Sequence, residues 1–213
     1  MASILLDGVS LERSGVPILR DLHLRIDDGE LLVIVGPSGS GKTSVLRVIA
    51  GLDVPQVGDV LIDGTPVTAI DPAARNVAMV FQDDTLYPFM TVRRNISFPL
   101  RVRNVDADEV DRRVTAEARL LAIDRFLDRL PDRLAAGHQQ LVQAARALVR
   151  TPEVFLLDEP LARMDAETRN TVRGEIGLLQ RGYEVTTVYA TNDQEQAMAL
   201  ADRLVVLDAG EIR

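Results

Sequence analysis

Apolar residues in this chain come in short unbroken runs, each closed by a polar or glycine-bearing turn. Residues 31–35 read Leu-Leu-Val-Ile-Val, 77–81 Val-Ala-Met-Val-Phe, 154–157 Val-Phe-Leu-Leu and 204–207 Leu-Val-Val-Leu. Runs this short with no polar alternation predict strands covered on both faces. Residues 185–191, rich in β-branched side chains, predict another strand, and 60–62 predict one entering the tight turn Asp63-Gly64. The first 35 residues predict short strands, with Asp27-Asp28-Gly29-Glu30 as a turn before the run at 31–35. Elsewhere the period lengthens. Residues 106–123 carry Val110, Val114, Ala118 and Leu121 at helical spacing, with arginine and glutamate on the other faces. Further helices are predicted from residue 43 to 50, over 165–180 with Asp165 as N-cap, and over 194–201. From about 91 to 150 the pattern is helical, an insertion between two strand-rich parts, 1–90 and 151–213. Strands alternating with helices predict an α/β fold around a mostly parallel sheet. No internal repeat or low-complexity linker interrupts it.

Composition narrows the classes open to such a fold. The 213 residues suffice for one large or two small domains. With 46% hydrophobic and 26% charged residues the chain is globular, not disordered. A net charge of −8 argues against a broad phosphate-backbone surface, so nucleic acid is not an expected partner. The absence of cysteine excludes disulfides and thiolate metal sites. The first residues carry neither a basic segment nor a long apolar one, so no signal peptide is expected. No apolar run approaches the ~20 residues of a membrane helix. Any membrane role is expected to run through a partner.

The chain has one lysine, Lys42, among 24 lysines and arginines. It lies in Gly36-Pro37-Ser38-Gly39-Ser40-Gly41-Lys42-Thr43, followed by Ser44, which matches the phosphate-binding loop G-x-x-x-x-G-K-[ST] in full. A predicted strand precedes it and a predicted helix follows. That order aims backbone N–H groups and a helix N-terminus at phosphate. A compact ammonium reaches the β- and γ-phosphates of a nucleotide where a flat guanidinium fits badly. Downstream, the apolar run at 154–157 ends in Asp158-Glu159-Pro160. Two carboxylates emerge at the carboxyl end of a buried strand, where open α/β sheets bind ligands. Asp158 suits Mg²⁺, together with the Thr43 hydroxyl. Glu159 suits polarising an attacking water.

In their order these motifs resemble the ATP-binding subunit of ABC transporters, in the sugar-importer, maltose-type branch, over nearly the whole chain. The resemblance implies a P-loop NTPase core with a mostly parallel sheet, an N-terminal antiparallel β part, and a helical subdomain over about 91–150. It implies ATP and Mg²⁺ as cofactors. It also implies a second ATP-binding subunit, in a homo- or heterodimer closing on two ATP. Membrane permease subunits would be further partners, with the chain peripheral on the cytoplasmic side of the cell membrane. Residues 75–82 look like the strand into the Q-loop, where Gln82 would touch Mg²⁺ or the attacking water. Residues 86–92 are similar to the stretch that helps form the permease groove. Residues 134–142, and the helix after them, take the place of the signature motif. Residues 160–165, ending in Asp165, match the D-loop, and residues 187–198 match the switch region.

The chain also departs from that family. Where the family signature reads L-S-G-G-Q, this chain has Leu134-Ala135-Ala136-Gly137-His138. Ala135 lacks the hydroxyl that the family offers to the γ-phosphate held by the opposite subunit. A lost hydrogen bond to a charged group costs about 1.5–3 kcal/mol. Ala136 puts a methyl where glycine allows close approach. Gly137 and His138 complete the stretch expected to face nucleotide. Asn192 stands at the switch position, where the family has histidine; it can donate one hydrogen bond but cannot shuttle a proton. Nothing aromatic falls near Ser14, where the family stacks adenine.

Lys42, Thr43, Gln82, Asp158 and Glu159 favour an energy-coupling ATPase. Ala135, Ala136, His138 and Asn192 favour the alternative, a hydrolysis-impaired regulatory partner of a competent subunit. A P-loop kinase is disfavoured by the signature-like helix directly before Asp158-Glu159. Many importers of the branch carry a C-terminal regulatory domain. It is expected to be absent here, or else the sequence is a fragment. Arg93, Arg94, Arg101 and Arg103 read as a solvated face, Gln139 and Gln140 as surface, and Tyr183 and Tyr189 as packing.

Overall fold

The computed structural model describes residues 2–82, 86–162, 164 and 166–213, with some side chains between 166 and 181 outside that description. Contacts divide the chain into two compact units: Met1–Met79, Glu153–Glu159 and Gly177–Arg213 form the first, Val80–Pro152 and Pro160–Ile176 the second.

The first unit opens with two long strands where short ones were expected. β1 (Ile4–Arg13) and β2 (Val16–Ile26) pair antiparallel, Arg13 opposite Val16. Ser14 and Gly15 join them, both at positive φ, 53° and 77°. Such a turn twists with the strands it connects. Register shifts between Leu6 and Val9, and again near Leu11, break the alternation along β1. Bulges of this kind hide a long strand from a period-two reading. β1 also pairs with β4 (Val57–Ile62), which turns through Asp63-Gly64 into β5 (Thr65–Pro66). The order is β2-β1-β4-β5, antiparallel throughout.

The second sheet has the order β10-β9-β3-β8-β7-β6. Its strands are β3 (Leu31–Val35), β6 (Val77–Val80), β7 (Val154–Asp158), β8 (Thr186–Thr191), β9 (Arg203–Asp208) and β10 (Glu211–Ile212). The pairs β3–β8, β3–β9 and β7–β8 are parallel, and β10 returns antiparallel on β9. Every residue of β3, β7 and β8 is buried, as their unbroken apolar or β-branched runs require. Helix α1 (Lys42–Ala50) packs on β7 and β8. Val45, Leu46, Val48 and Ile49 join Leu32, Ile34, Leu156 and Val188 in one core.

Arg75 is buried in this unit. Its guanidinium donates to Val48 O and Ile49 O at 3.0 Å, closing the carboxyl end of α1, and to Ile70 O and Thr68 O at 2.9 and 3.0 Å. Burial pushes its pKa down from the ordinary arginine value.

Three helices form most of the second unit. α2 (Val92–Val102) is capped by Thr91, whose hydroxyl accepts from the Arg94 N–H. Buried Asn95 ties its first turn to the preceding segment. Its amide donates to Tyr87 O, Met90 O and Thr91 O, and its oxygen accepts from the Tyr87 N–H. α3 (Ala107–Leu120) starts at Asp106, which caps Asp108 and Glu109, and stops before Ala122 at φ 54°, short of the expected end at 123. Arg93 on α2 bonds Asp111 on α3 at 2.6 Å, so it is not simply a solvated cation. α4 (Ala136–Leu148) follows two short 3₁₀ turns. Gln139 is half-buried and donates to Pro131 O and Leu134 O at 2.9 and 3.3 Å, so it fastens the loop before α4 instead of lying free on the surface. α5 (Ala166–Tyr183) runs from the second unit into the first, and α6 (Gln194–Leu200) completes the first.

Candidate functional site

Between β3 and α1 the chain turns through residues 36–41. A Cβ added at Gly36 would fall 2.1 Å from Leu207 O and 2.8 Å from Ser40 Oγ, so only glycine lets the loop lie against β9 here. Gly41 enters α1 at φ 107°, and no side chain caps the helix start. Pro37, Ser38, Gly39 and Thr43 are exposed, while Ser40, Gly41, Lys42 and Ser44 are buried. The Lys42 ammonium folds back over its own loop, donating to Gly36 O at 2.8 Å and Pro37 O at 2.9 Å. Ser40 Oγ is buried and has no hydrogen-bond partner among the described residues.

β7 brings the acidic pair to this loop. Asp158 is 3% exposed, and its Oδ1 accepts from Thr43 Oγ1 at 3.0 Å. Burial pushes its carboxyl above the ordinary range. Neighbouring Glu159 pushes the same way, against the Thr43 hydrogen bond, Lys42 and Arg47. Glu159 follows at φ 44°, a left-handed conformation uncommon for a non-glycine residue. Its N–H donates to Ala190 O at 2.9 Å, and its carboxylate lies 3.8 Å from Lys42 Nζ. Lys42, Thr43, Asp158 and Glu159 therefore converge, although 115 residues separate the hydrogen-bonded Thr43 and Asp158. The part of Ala190 was not legible beforehand, since it depends on the β7–β8 register that sets Asp158 opposite Ala190.

The donor set fits Mg²⁺–nucleotide. A buried hydroxyl without a partner among the described residues, a helix start with no side-chain cap, and an ammonium held by two loop carbonyls beside the Glu159 carboxylate suit phosphate oxygens. The Thr43 hydroxyl and one carboxylate are hard oxygen ligands of the kind Mg²⁺ takes beside phosphates. Among the described residues no cluster of three or more histidine, cysteine or acidic side chains could hold a metal alone.

Asn192 is exposed just after β8. With Val35, Gly36, Pro37, Gln194, Met198, Leu204 and Val206 it lines a cavity of about 570 Å³, so it shares a wall with the start of the phosphate loop. Gln82, Ala135, Gly137 and His138 belong to the second unit. Gln82 is exposed beyond β6, which ends at Val80, one residue earlier than the predicted strand. Ala135 is the N-cap position of α4 and offers no side-chain cap. His138 stands edge-on to Phe126 at 4.5 Å between ring centres, with the guanidiniums of Arg125 and Arg129 over the same Phe126 ring. Burial and then Arg125 push its imidazole pKa down, towards the neutral form. Asp165 lies outside the described residues.

A glycine loop between a buried parallel strand and a helix, with an acidic pair at the end of a nearby strand, defines a P-loop nucleotide-binding domain. Residues 19–162 match the profile of the ABC transporter family, and the chain belongs to that family. It is 48% identical over 199 residues to the sn-glycerol-3-phosphate import ATP-binding protein UgpC of Roseobacter denitrificans, covering 93% of this chain and 56% of that one. A relative of the same description from Rhizobium etli is 47% identical over 212 residues, covering 100% of this chain and 61% of that protein. The chain thus spans about three-fifths of the length of these curated relatives. The dimeric structure of a bacterial ABC transporter cassette superposes with a TM-score of 0.86 at 29% identity, covering 99% of this chain and 96% of that one. The fold is also that of cbiO1 from Clostridium perfringens, with a TM-score of 0.91 at 24% identity over 99% of this chain and 86% of that one. Among the described residues no helix is long and apolar enough to cross a membrane.

Proposed function

We propose that this chain binds and hydrolyses ATP to drive solute import, as the ATP-binding subunit of a transporter whose permease spans the membrane. It would work with a second ATP-binding subunit, peripheral to the cytoplasmic side of the membrane, as one ABC-type ATP-binding domain with a helical subdomain over about 91–150. The observation that carries this is the convergence of Lys42, Thr43, Asp158 and Glu159 at the carboxyl ends of β3 and β7. Bound Mg²⁺ would supply charge neutralisation at the β- and γ-phosphate oxygens. Residues 36–44 would cradle the phosphates through their N–H groups, with the Lys42 ammonium on the terminal ones. Thr43 and Asp158 would hold the metal. Glu159 would take the proton of the attacking water and Asn192 would donate to the terminal phosphate. Gln82 would touch the metal or that water. Ala135, Gly137, His138 and Asp165 would face nucleotide held by the opposite subunit. The 46–48% identity to glycerol-phosphate importers makes a phosphorylated polyol the transported class to try first.

Calorimetry with Mg²⁺–ATP on the parent chain and Lys42→Ala tests the binding step. Binding is expected to weaken at least tenfold in the variant, about 1.4 kcal/mol. Turnover by the chain with its permease, with and without Glu159→Gln, tests hydrolysis. Equal binding in the first pair, or equal turnover in the second, refutes the corresponding step.

A further inference from the structure

The loop that presents Asn192 is tied by a set of hydrogen bonds that reaches into the core. Tyr189 is fully buried in β8, opposite Val33 of β3 and Leu157 of β7. Its hydroxyl donates to Gln196 Oε1 at 2.9 Å. Gln196 is itself 5% exposed, and its Nε2 donates to Asp193 Oδ2 at 2.8 Å. Asp193 Oδ1 accepts the Gln196 N–H, capping α6, and the Asp193 N–H reaches Thr191 Oγ1 at 3.0 Å. The residues on both sides of Asn192 are thereby tied to one buried amide. The Asn192 side chain itself is exposed and makes no hydrogen bond among the described residues.

This arrangement is costly where packing alone would serve. A hydroxyl at a position flanked by valine and leucine must find a partner or forfeit its hydration, and an apolar side chain needs neither. Buried polar networks are retained where they specify one conformation. Here the conformation specified is that of residues 191–193. The same end of β8 holds the Glu159 N–H through Ala190 O at 2.9 Å. We infer that Tyr189 and Gln196 are positioning residues that aim Asn192, on the wall of the cavity it shares with Gly36 and Pro37, towards the terminal phosphate of ATP. The inference rests on the role proposed above for Asn192.

Three measurements on the full chain test it: amide hydrogen exchange over residues 190–197 without nucleotide, Mg²⁺–ATP affinity, and turnover with the permease. Tyr189→Phe removes one oxygen atom and keeps the ring. It is expected to speed exchange at 191–196 about tenfold, leave affinity within about twofold, and lower turnover about fivefold, as fits one lost buried hydrogen bond. Gln196→Leu is expected to do the same more strongly. In an Asn192→Ala background Tyr189→Phe is expected to cost no further turnover, because it acts through Asn192. Unchanged exchange in Tyr189→Phe overturns the inference. So do turnover losses that multiply with Asn192→Ala. If the parent chain binds ATP without turning it over, the hydrolytic function falls, while exchange at 191–196 still decides whether Tyr189 and Gln196 hold the loop.

Discussion

Arg75→Met removes four hydrogen bonds while keeping most of a side chain's length in a buried slot. The bonds go to Val48 O, Ile49 O, Thr68 O and Ile70 O, at 2.9 to 3.0 Å. Bonds from a charged donor carry about 1.5–3 kcal/mol each, so roughly 6–12 kcal/mol would vanish if nothing compensated. Much of that returns, because methionine needs no desolvation of a buried cation, a penalty of several kcal/mol. Water reaching some of the freed carbonyls returns more. The expected net loss is about 3–4 kcal/mol, near the upper end for a single substitution. For a chain of this size that is about 10 °C in melting temperature. Arg75→Lys keeps the charge but gathers its donors on one nitrogen, which cannot span four carbonyls, so about half the loss is expected. Thermal melting and urea titration of the three proteins measure this. Parent and Met variants melting within about 3 °C of each other would refute it. The carboxyl end of α1 would then be served as well by water as by the guanidinium.

Asp158→Asn is expected to raise the stability of the nucleotide-free chain near neutral pH while abolishing Mg²⁺-dependent tightening of ATP. Its folded carboxyl titrates above the ordinary range, chiefly through burial, so the penalty of ionising it grows as pH rises from the ordinary carboxylate range through the folded group's own titration. Melting curves from pH 4 to 8 check this, and a variant less stable than the parent at pH 7 contradicts it. Ala135→Ser should gain about 1 kcal/mol without nucleotide, by supplying the cap that α4 lacks; an unmoved melting temperature would show that the serine hydroxyl points elsewhere. Asn95→Leu should cost about 3 kcal/mol and expose residues 86–91 to proteolysis, since the amide makes four bonds to Tyr87, Met90 and Thr91. Unchanged cleavage there would mean the segment holds its course without Asn95.

What could be read from the residues beforehand was whatever depends on near neighbours. Leu31–Val35 and Val154–Asp158 announced themselves as doubly covered strands because every side chain in them is apolar until the final Asp158. The loop from Gly36 to Thr43 was equally legible, its glycines and lysine being consecutive. Less visible was anything set by register between distant strands. Glu159 could be named, but not the left-handed φ that its bond to Ala190 accompanies. Tyr189 could be read as packing, and it is fully buried, yet the partner of its hydroxyl lies beyond the next turn. β1 runs longer than its residues suggest, because its bulges interrupt the alternation. Arg75 and Asn95 gave no warning, because a buried polar residue is recognised only once the carbonyls around it are in place.

The ammonium of Lys42, 5% exposed and clasped by two carbonyls of its own loop, is also the chain's only ε-amine. Any acyl group found on a lysine within these 213 residues is therefore on the phosphate loop. Acetylation there would discharge the cation and fill the space it occupies. Apart from the α-amine at the N-terminus, an amine-directed reagent finds one target here, and its rate at that target is set by how often the loop releases Lys42 to solvent. Loop opening can thus be timed by mass spectrometry on the unaltered protein.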